Sequence, residues 1–592
     1  MKYRLYEGSQ NDTSNVIRNV LRNRGIKNYK EYLHLSSNCE NPYSKLDGID
    51  DAVKMFMNHF DKKDIIGIIP DSDVDGMCSS AMIYLYINQL YHSMCDTKDD
   101  YPIEIIYHTR NKGHGLSDVN VPDNVKLLII ADAGTNDTDE CKQLSEKELD
   151  IIILDHHEQE KDNPYAIIVN NQNSQYYSNK QLCGAGIVYK WLNALDDCTW
   201  EQFADNFLDL VALANISDVM DLREYETRYL VNTGLSNINN KFFKALIKAQ
   251  DYSMNGKVNI HNVQWYLTPV INALIRIGTE EERELLFNAF IEKDQMFDYK
   301  KRATKDQPEE IIQETIYDRA ARLCKNAKSR QDKKRDKAFK DISEFLKKSN
   351  EENQVNIIDA TEYIDSGLTG LVAIKVAETF QRPCILLNKS GDGVYGGSAR
   401  NFNHSPISNF KDVVNEINVF NFAQGHQGAF GISIDDSNID IAKEKLNKLL
   451  KDVIYDSTYN VDFVLDVEEV DESLIIELSK FDDIICQGID EPLIAVENIS
   501  LPRDKFIVIG KTEDTITFES NGVKYIQFKC KEGNGLYDFI QDAWSDDNWI
   551  SFTIVGKPGI NNYNGVLTPQ VIIEDVEVLS SNTISDDSEE DW

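Results

Sequence analysis

The run Ile65-Ile66-Gly67-Ile68-Ile69-Pro70-Asp71-Ser72-Asp73-Val74-Asp75-Gly76 decides how this chain is read. Its β-branched first half has the composition of a short buried strand. Three aspartates then stand at alternate positions before a glycine, and residues 79–90 read as helix. Carboxylates crowded at a strand end repel one another and lose solvation, so a cation among them is expected. Oxygen donors of this kind suit Mg2+ or Mn2+. Alone, the motif is equally an acidic turn on a solvated loop.

Similar strand ends recur along the chain. The apolar run Val125-Lys126-Leu127-Leu128-Ile129-Ile130-Ala131 closes with Asp132-Ala133-Gly134, and Ile151-Ile152-Ile153-Leu154 delivers Asp155-His156-His157. Three such strands form a parallel sheet with acids and imidazoles gathered at one edge, where open α/β sheets bind ligands. A further apolar piece, Val211 through Ile216, leads to Ser217 and Asp218.

Asp71-x-Asp73-x-Asp75-Gly76, Asp132-Ala133-Gly134, Asp155-His156-His157 and Ile216-Ser217-Asp218-Val219-Met220-Asp221-Leu222 resemble, in this order, the four motifs of the DHH phosphoesterase superfamily. Within it the chain is most similar to the RecJ-like single-strand-specific DNA exonucleases. Arg24-Gly25-Ile26, Asn41-Pro42, Leu182-Cys183-Gly184-Ala185-Gly186, Asn272-Ala273 with Arg276, Gly397-Ser398-Ala399-Arg400 and Gly425-His426 follow in the family's order.

The resemblance implies an α/β fold in several parts. Residues 1–300 would be the parallel-sheet DHH domain, with a helical N-terminal segment capping it, and 301–350 a long connecting helix. Residues 351–457 would form a smaller α/β DHHA1-type substrate-binding domain, 458–579 an OB-like β-barrel and 580–592 an acidic disordered tail. It also implies roles. Asp71, Asp73, Asp132, His156 and Asp218 would hold two divalent cations, Mn2+ or Mg2+. Asp155 would orient its neighbouring imidazole, His157 would meet the scissile phosphate or move a proton, and Asp75 would join the catalytic acids. Arg110, Arg276, Ser398, Arg400 and His426 would bind the strand and its terminal phosphate. Cleavage from the 5′ end is implied in the same way. Two departures stand out: Ile275 where the family has Gly, and Ile364-Asp365-Ser366-Gly367 where it has Trp-His-Pro-Gly.

Composition sets limits. A chain of 592 residues is too long for one core. With 41% hydrophobic residues and no apolar run near the ~20 needed to span a bilayer, it reads as globular, with no membrane contact. Ten cysteines without a Cys-x-x-Cys pair argue against zinc fingers and disulfide frameworks, so a reducing, cytoplasmic compartment is expected. A net charge of −37 opposes generic nucleic-acid binding, so any DNA path must be a local positive track. Residues 322–340 supply a candidate, with nine Lys or Arg against Asp332 and Asp336 and no helix breaker. A solvated helix face is the alternative. His108 and His114, on a glycine-broken basic loop, read as turn residues. Tyr525, Phe528 and Tyr563 could stack on bases or fill the barrel core.

The expected partner is single-stranded DNA, with single-strand-binding or recombination proteins as further candidates, and the chain is expected to act as a monomer. Two other functions fit parts of the pattern: a phosphodiesterase for short oligonucleotides or cyclic dinucleotides, and a catalytically silent replication scaffold. The first class is shorter and the second loses metal ligands that this chain keeps.

Overall fold

The computed structural model describes residues 1–108, 114–301, 309–349, 353–391, 393–531, 533–542, 548–563 and 565–581. Arg110 and the acidic tail from residue 582 lie outside the described residues, as does the side chain of Tyr563. The chain divides into two compact units, residues 30–332 with 486–488, and residues 1–29, 333–485 and 489–592.

The first unit is built on a five-stranded sheet whose strands, from edge to edge, are Ile103–Ile105, Ile65–Ile69, Val125–Ala131, Asp150–Asp155 and Ile167–Asn170. Every neighbouring pair is parallel. In chain order the sequence across the sheet is 2-1-3-4-5, so winding reverses between Ile65–Ile69 and Val125–Ala131. A crevice opens at such a reversal, outside the carboxyl ends of the strands. Asp71 and Asp132 follow those two strands directly, which explains why acids cluster there.

Near-continuous Ile, Leu and Val runs are what a sheet covered on both faces requires. On one face, Ile69, Leu128, Ile130, Ile151 and Ile153 pack with Ile106, Leu116 and Cys141. The helices Val74–Cys95 and Gly184–Thr199 cover the other face. The first of these starts where it does because the Asp73 side chain accepts the Gly76 N–H at 2.9 Å, which caps an otherwise unsatisfied amide.

A buried ion network fixes the crossing back to the sheet. Lys190 reaches Glu226 at 2.9 Å and Glu40 at 3.0 Å. Glu226 also accepts from the Asn41 N–H, the Tyr177 hydroxyl and Asn179 Nδ2 at 2.8, 3.1 and 3.0 Å. Burial alone would raise the Glu226 carboxyl, but Lys190 and these donors hold it below its usual value.

The connecting helix is observed as Ile316–Ser349, preceded by an antiparallel hairpin, Met296–Lys301 with Glu310–Thr315. Its positive charge is largely answered inside the protein. Within the first unit, Arg322 pairs with Glu314, Lys328 with Asp332 at 2.6 Å, Arg330 with Glu282 at 2.9 Å, and Lys325 donates to the Ala249 carbonyl. Within the second unit, Lys334 meets Asp365 and Arg335 meets Asp336. Six of the nine basic side chains are thus engaged by neighbours, which narrows the expected basic track along this helix without removing it.

In the second unit, a mixed sheet runs Phe422–His426, Ala429–Asp435, Val394–Arg400, Cys384–Gly391 and Asn356–Asp359. Ile385, Leu387, Phe430, Ile432 and Ile434 bury one face against Phe410, Ala442 and Leu446. Residues 1–29 depart from their expected place as part of the cap on the first domain, whereas residues 30–60 stay with it. Lys2–Leu5 pairs in parallel with Thr458–Val461, and Arg24 makes a buried ion pair with Asp462 at 2.8 Å. That strand pairing joins positions more than 450 residues apart, which no local pattern announces.

Farther along, seven strands pair in the order Phe463–Asp466, Ile494–Pro502, Trp549–Tyr563, Val566–Ser581, Val523–Gln527, Thr515–Ser520 and Ile507–Ile509. Among the described residues the two end strands do not pair with each other, so the ladder is open and the expected OB-like barrel is not confirmed. Alternating residues predict strands; closure depends on distant pairing that alternation does not encode. Tyr525 is fully buried and stacks on Phe518 with centroids 4.6 Å apart, so it belongs to the core. Phe528 is exposed.

Candidate metal centre

The segments that follow three central strands, with the end of the Leu208–Ser217 helix, bring seven predicted residues of the first unit to one place. Three overlapping sets, Asp71 with Asp73 and Asp132, Asp75 with His156 and Asp218, and Asp132 with His156 and His157, each offer ligand atoms within 4.8 Å of one another. His156 Nε2 lies 3.1 Å from Asp132 Oδ1 and 3.5 Å from Asp218 Oδ2. Both the imidazole nitrogen and Asp132 Oδ1 are buried with no hydrogen-bond partner. A native fold seldom leaves such atoms unpaired without a role for them. Oxygen and imidazole donors in this number fit a divalent cation of the Mg2+ or Mn2+ kind.

Charge repulsion tells the same story. Asp132 is pushed well above the usual carboxylate range by burial and by Asp75, Asp73 and Asp218. Burial, with Asp75 and Asp73, lifts Asp218 to about 8, and burial with the same kind of neighbours lifts Asp73 to about 6. Asp132 also sits at φ 64°, a left-handed conformation uncommon outside Gly, Asn and Asp. Its carboxylate therefore turns into the crevice at the strand's end.

Asp155 behaves differently. Burial would raise it, but His157 and the Thr135 amide hold it well below the usual range. One oxygen accepts the amides of His156 and His157 and His157 Nδ1, at 2.7, 3.2 and 2.7 Å. The other accepts the Thr135 N–H at 3.1 Å. Burial works against charge on His157, yet Asp155 raises it to about 9. Asn170, ending the fifth strand, donates to the His157 carbonyl at 2.8 Å.

Asp75 has a second occupation. Its two oxygens accept the amides of Gly184 and Ala185 at 2.7 and 2.8 Å, at the start of the Gly184–Thr199 helix. It thereby pins that helix against Asp132: a Cβ on Gly184 would stand 2.6 Å from Asp132 Cβ. Gly186 serves close packing in the same way, since a Cβ there would lie 2.3 Å from Leu182 Cγ.

Sequence reasoning missed His108 and His114. His114 Nδ1 lies 2.9 Å from Asp71 Oδ2, and His108 Nε2 lies 3.6 Å from its Oδ1. Burial would raise Asp71, but these imidazoles and the Gly115 amide bring it down to about 2. Gly115 has φ 60°, and a Cβ there would meet Asp137 Oδ2 at 2.1 Å, so glycine is what lets the chain turn beside Asp71. Arg276 ends the Thr268–Ile277 helix, reaches solvent, and has Asp73 within electrostatic range.

In the second unit, Ser398 Oγ lies 2.9 Å from Thr369 Oγ1. A Cβ on Gly370 would come within 2.5 Å of Arg400 Nη2, so the glycine lets the guanidinium lie against the first turn of the Thr369–Phe380 helix. Arg400 and His426 both register with Ala429 on the strand between them. Directly paired residues project from one face of a sheet, so Arg400 and His426 share a face.

Residues 65–215 match the DHH family, N-terminal domain. Over 98% of both chains, the protein is 33% identical to the SPbeta prophage-derived single-strand DNA-specific exonuclease YorK of Bacillus subtilis (strain 168). The chain belongs to the RecJ-like exonucleases of the DHH family. This RecJ-like chain is also 26% identical to the single-stranded-DNA-specific exonuclease RecJ of the same bacterium, across 90% of its own length and 64% of that protein's. Its fold matches the crystal structure of RecJ in complex with Mn2+ from Thermus thermophilus, with a TM-score of 0.69 and 17% identity over 97% of this chain and 79% of that one. No helix among the described residues is long and apolar enough to cross a membrane.

Proposed function

We propose that this protein hydrolyses single-stranded DNA from its 5′ end, using two divalent cations, Mn2+ or Mg2+, in replication, recombination or repair. The observation that carries the reading is the convergence of Asp71 and Asp73 on Asp132 from one side and of His156, with Asp218, from the other, around buried donor atoms that have no partner. Asp71, Asp73, Asp132, His156 and Asp218 would hold the cations. Bound there, the cations would neutralise phosphate oxygens, activate water and stabilise the leaving oxygen.

The protein's own groups do the rest. Asp155 orients the His157 ring through Nδ1, so its free edge can bind a phosphate oxygen or give up a proton. Asp75 holds the helix that backs Asp132. His108 and His114 orient the Asp71 carboxylate. Arg276 would supply a second positive charge within electrostatic range of Asp73. In the other unit, Ser398, Arg400 and His426 form a phosphate-binding face; a guanidinium and a helix N-terminus both favour an anion. Arg110 would add to phosphate binding.

The test is digestion of end-labelled single-stranded DNA with Mn2+, beside duplex DNA, RNA and cyclic dinucleotides. Mononucleotide release from the 5′ end of the single strand alone is expected. Cleavage confined to cyclic dinucleotides would move the protein to the small-substrate phosphodiesterases, and inertness toward all four would make it a scaffold.

A further inference from the structure

The surface of the first unit carries a feature the reaction does not use. Across residues 239–278, in a chain of net charge −37, five Lys or Arg stand beside the single carboxylate of Asp251, and one of them, Lys241, is paired with Glu292 at 3.2 Å. Within this stretch large aromatics face solvent. Tyr252, at the C-terminal end of the Lys241–Met254 helix, is 96% exposed and Trp265 is 62% exposed, with Tyr266 beside it. Trp265 and Tyr266 belong to a π-helical turn, Val263–Leu267, whose end residues Val263 and Leu267 are fully buried. Such wide turns are rare and recur at functional sites. Here the turn is anchored at both ends while its middle projects outward. Gln250 Nε2 donates to the Tyr266 carbonyl at 2.9 Å, and Asn262 Nδ2 donates to the carbonyls of Met254 and Lys257 at 3.1 and 3.0 Å, tying the turn to the helix end.

We propose that this corner is a stacking platform for single-stranded DNA, with Trp265 and Tyr266 as the base-binding faces. The inference rests on the single-strand nuclease reading above. Aromatic faces beside lysines bind a strand without regard to sequence, because every base has a π-face and every link a phosphate. Lys248 lines a hollow of ≈ 330 Å³ between the Lys241–Met254 and Ile316–Ser349 helices, together with Lys325, one of whose ammonium protons goes to the Ala249 carbonyl, and with Asp318 on its rim. That hollow suits a backbone phosphate.

The platform also points toward the reaction. The π-helical turn runs straight into the Thr268–Ile277 helix, whose far end carries Arg276 near Asp73. Ten helical residues span about 15 Å, the length of about four to five stacked nucleotides at 3.4 Å each. A strand whose terminus lies at the carboxylates would thus meet the platform several nucleotides in. A protein partner could also use exposed aromatics, but the local charge, opposite to that of the chain, and the direct helical link to Arg276 favour the strand.

The experiment uses the full chain. Binding of a 5′-phosphorylated 20-mer of thymidylate is measured by fluorescence anisotropy in EDTA, and hydrolysis of a trinucleotide, too short to reach the platform, is measured with Mn2+. The Trp265→Ala/Tyr266→Ala variant should bind the 20-mer about tenfold to a hundredfold more weakly. Its turnover of the trinucleotide should be unchanged, and Trp265→Phe should retain most of the 20-mer affinity. Unchanged 20-mer binding in the double variant would overturn the proposal and leave the surface to a protein partner. An equal loss on the trinucleotide would overturn it as well, by showing a general structural defect. Wild-type protein that bound the 20-mer through Trp265 but cleaved no strand would uphold the platform while refuting the nuclease reading.

Discussion

Replacing Gly184 by Ala separates two effects of opposite sign. Gly184 has ordinary helical geometry, so alanine brings no backbone strain, and in an open helix it would stabilise by up to about 1 kcal/mol. Here the added methyl would lie 2.6 Å from Asp132 Cβ and 2.8 Å from Asp132 Cα. Ordinary contact begins near 3.4 Å, so the helix or the strand end must give by about 0.8 Å, the difference between 3.4 and 2.6. Neither neighbour is the end of a flexible side chain. Overpacking of this kind costs about 1–3 kcal/mol. The shift also loosens the hydrogen bond from the Gly184 amide to the Asp75 carboxylate, a bond to a charged group worth about 1.5–3 kcal/mol. The clash should therefore outweigh the propensity gain, with a net loss of about 1–3 kcal/mol by urea unfolding.

The effect on chemistry should be larger. A displacement near 1 Å at reacting groups costs about a hundredfold in rate. We expect kcat on single-stranded DNA to fall about a hundredfold with KM little changed, and Mn2+ affinity measured by electron paramagnetic resonance to fall with it. A variant that became more stable by about 0.5–1 kcal/mol, as propensity alone dictates, with undiminished turnover would refute the claim that the helix start sets Asp132.

Asp132→Asn should abolish hydrolysis and yet stabilise the metal-free protein by about 1 kcal/mol, read as a rise in Tm, because it removes one of several repelling carboxylates; an active variant would refute the metal assignment. Lys190→Met should destabilise by about 3–5 kcal/mol in urea, because it strands the buried Glu226; a change under about 1 kcal/mol would show that the ion pair carries little weight. Glu226 titrates below its usual value when folded, so its contribution should be fully present above pH about 4.5 and disappear as pH falls through the lower folded value. Stability measured between about pH 3 and 6 should carry this slope in the wild type and lose it in the Lys190→Met variant. Arg400→Ala should cut the preference for a 5′-phosphorylated end about tenfold to a hundredfold; an unchanged preference would place the phosphate elsewhere.

The core of the site was legible because its parts are local. A β-branched run followed by Asp announces itself within a dozen residues, and such strand ends converge once the sheet is parallel. The reversal between Ile65–Ile69 and Val125–Ala131 was not legible, since strand order is decided by distant packing. Asp75 looked like one more acid of the cluster, and only the fold shows its oxygens occupied by the Gly184 and Ala185 amides. His114 resembled a turn residue because glycine follows it, and its approach to Asp71 depends on a chain crossing 43 residues away. The charge of the Ile316–Ser349 helix misled in part, for a related reason: Glu314 lies beside it in sequence, but Glu282 does not. Arg24 was noted as part of an entry segment, while its partner Asp462 lies in the last quarter of the chain.

The left-handed backbone of Asp132 restricts what evolution could place there. Glutamate offers the same carboxylate, but left-handed backbone suits it less well than aspartate or asparagine, and one more methylene would drive its oxygens past the crevice. Asparagine accepts the dihedral and loses the charge; glycine accepts it and loses the ligand. Handedness and chemistry thus impose separate filters at one position, and aspartate passes both. Substitution there should be punished even where the replacement is acidic.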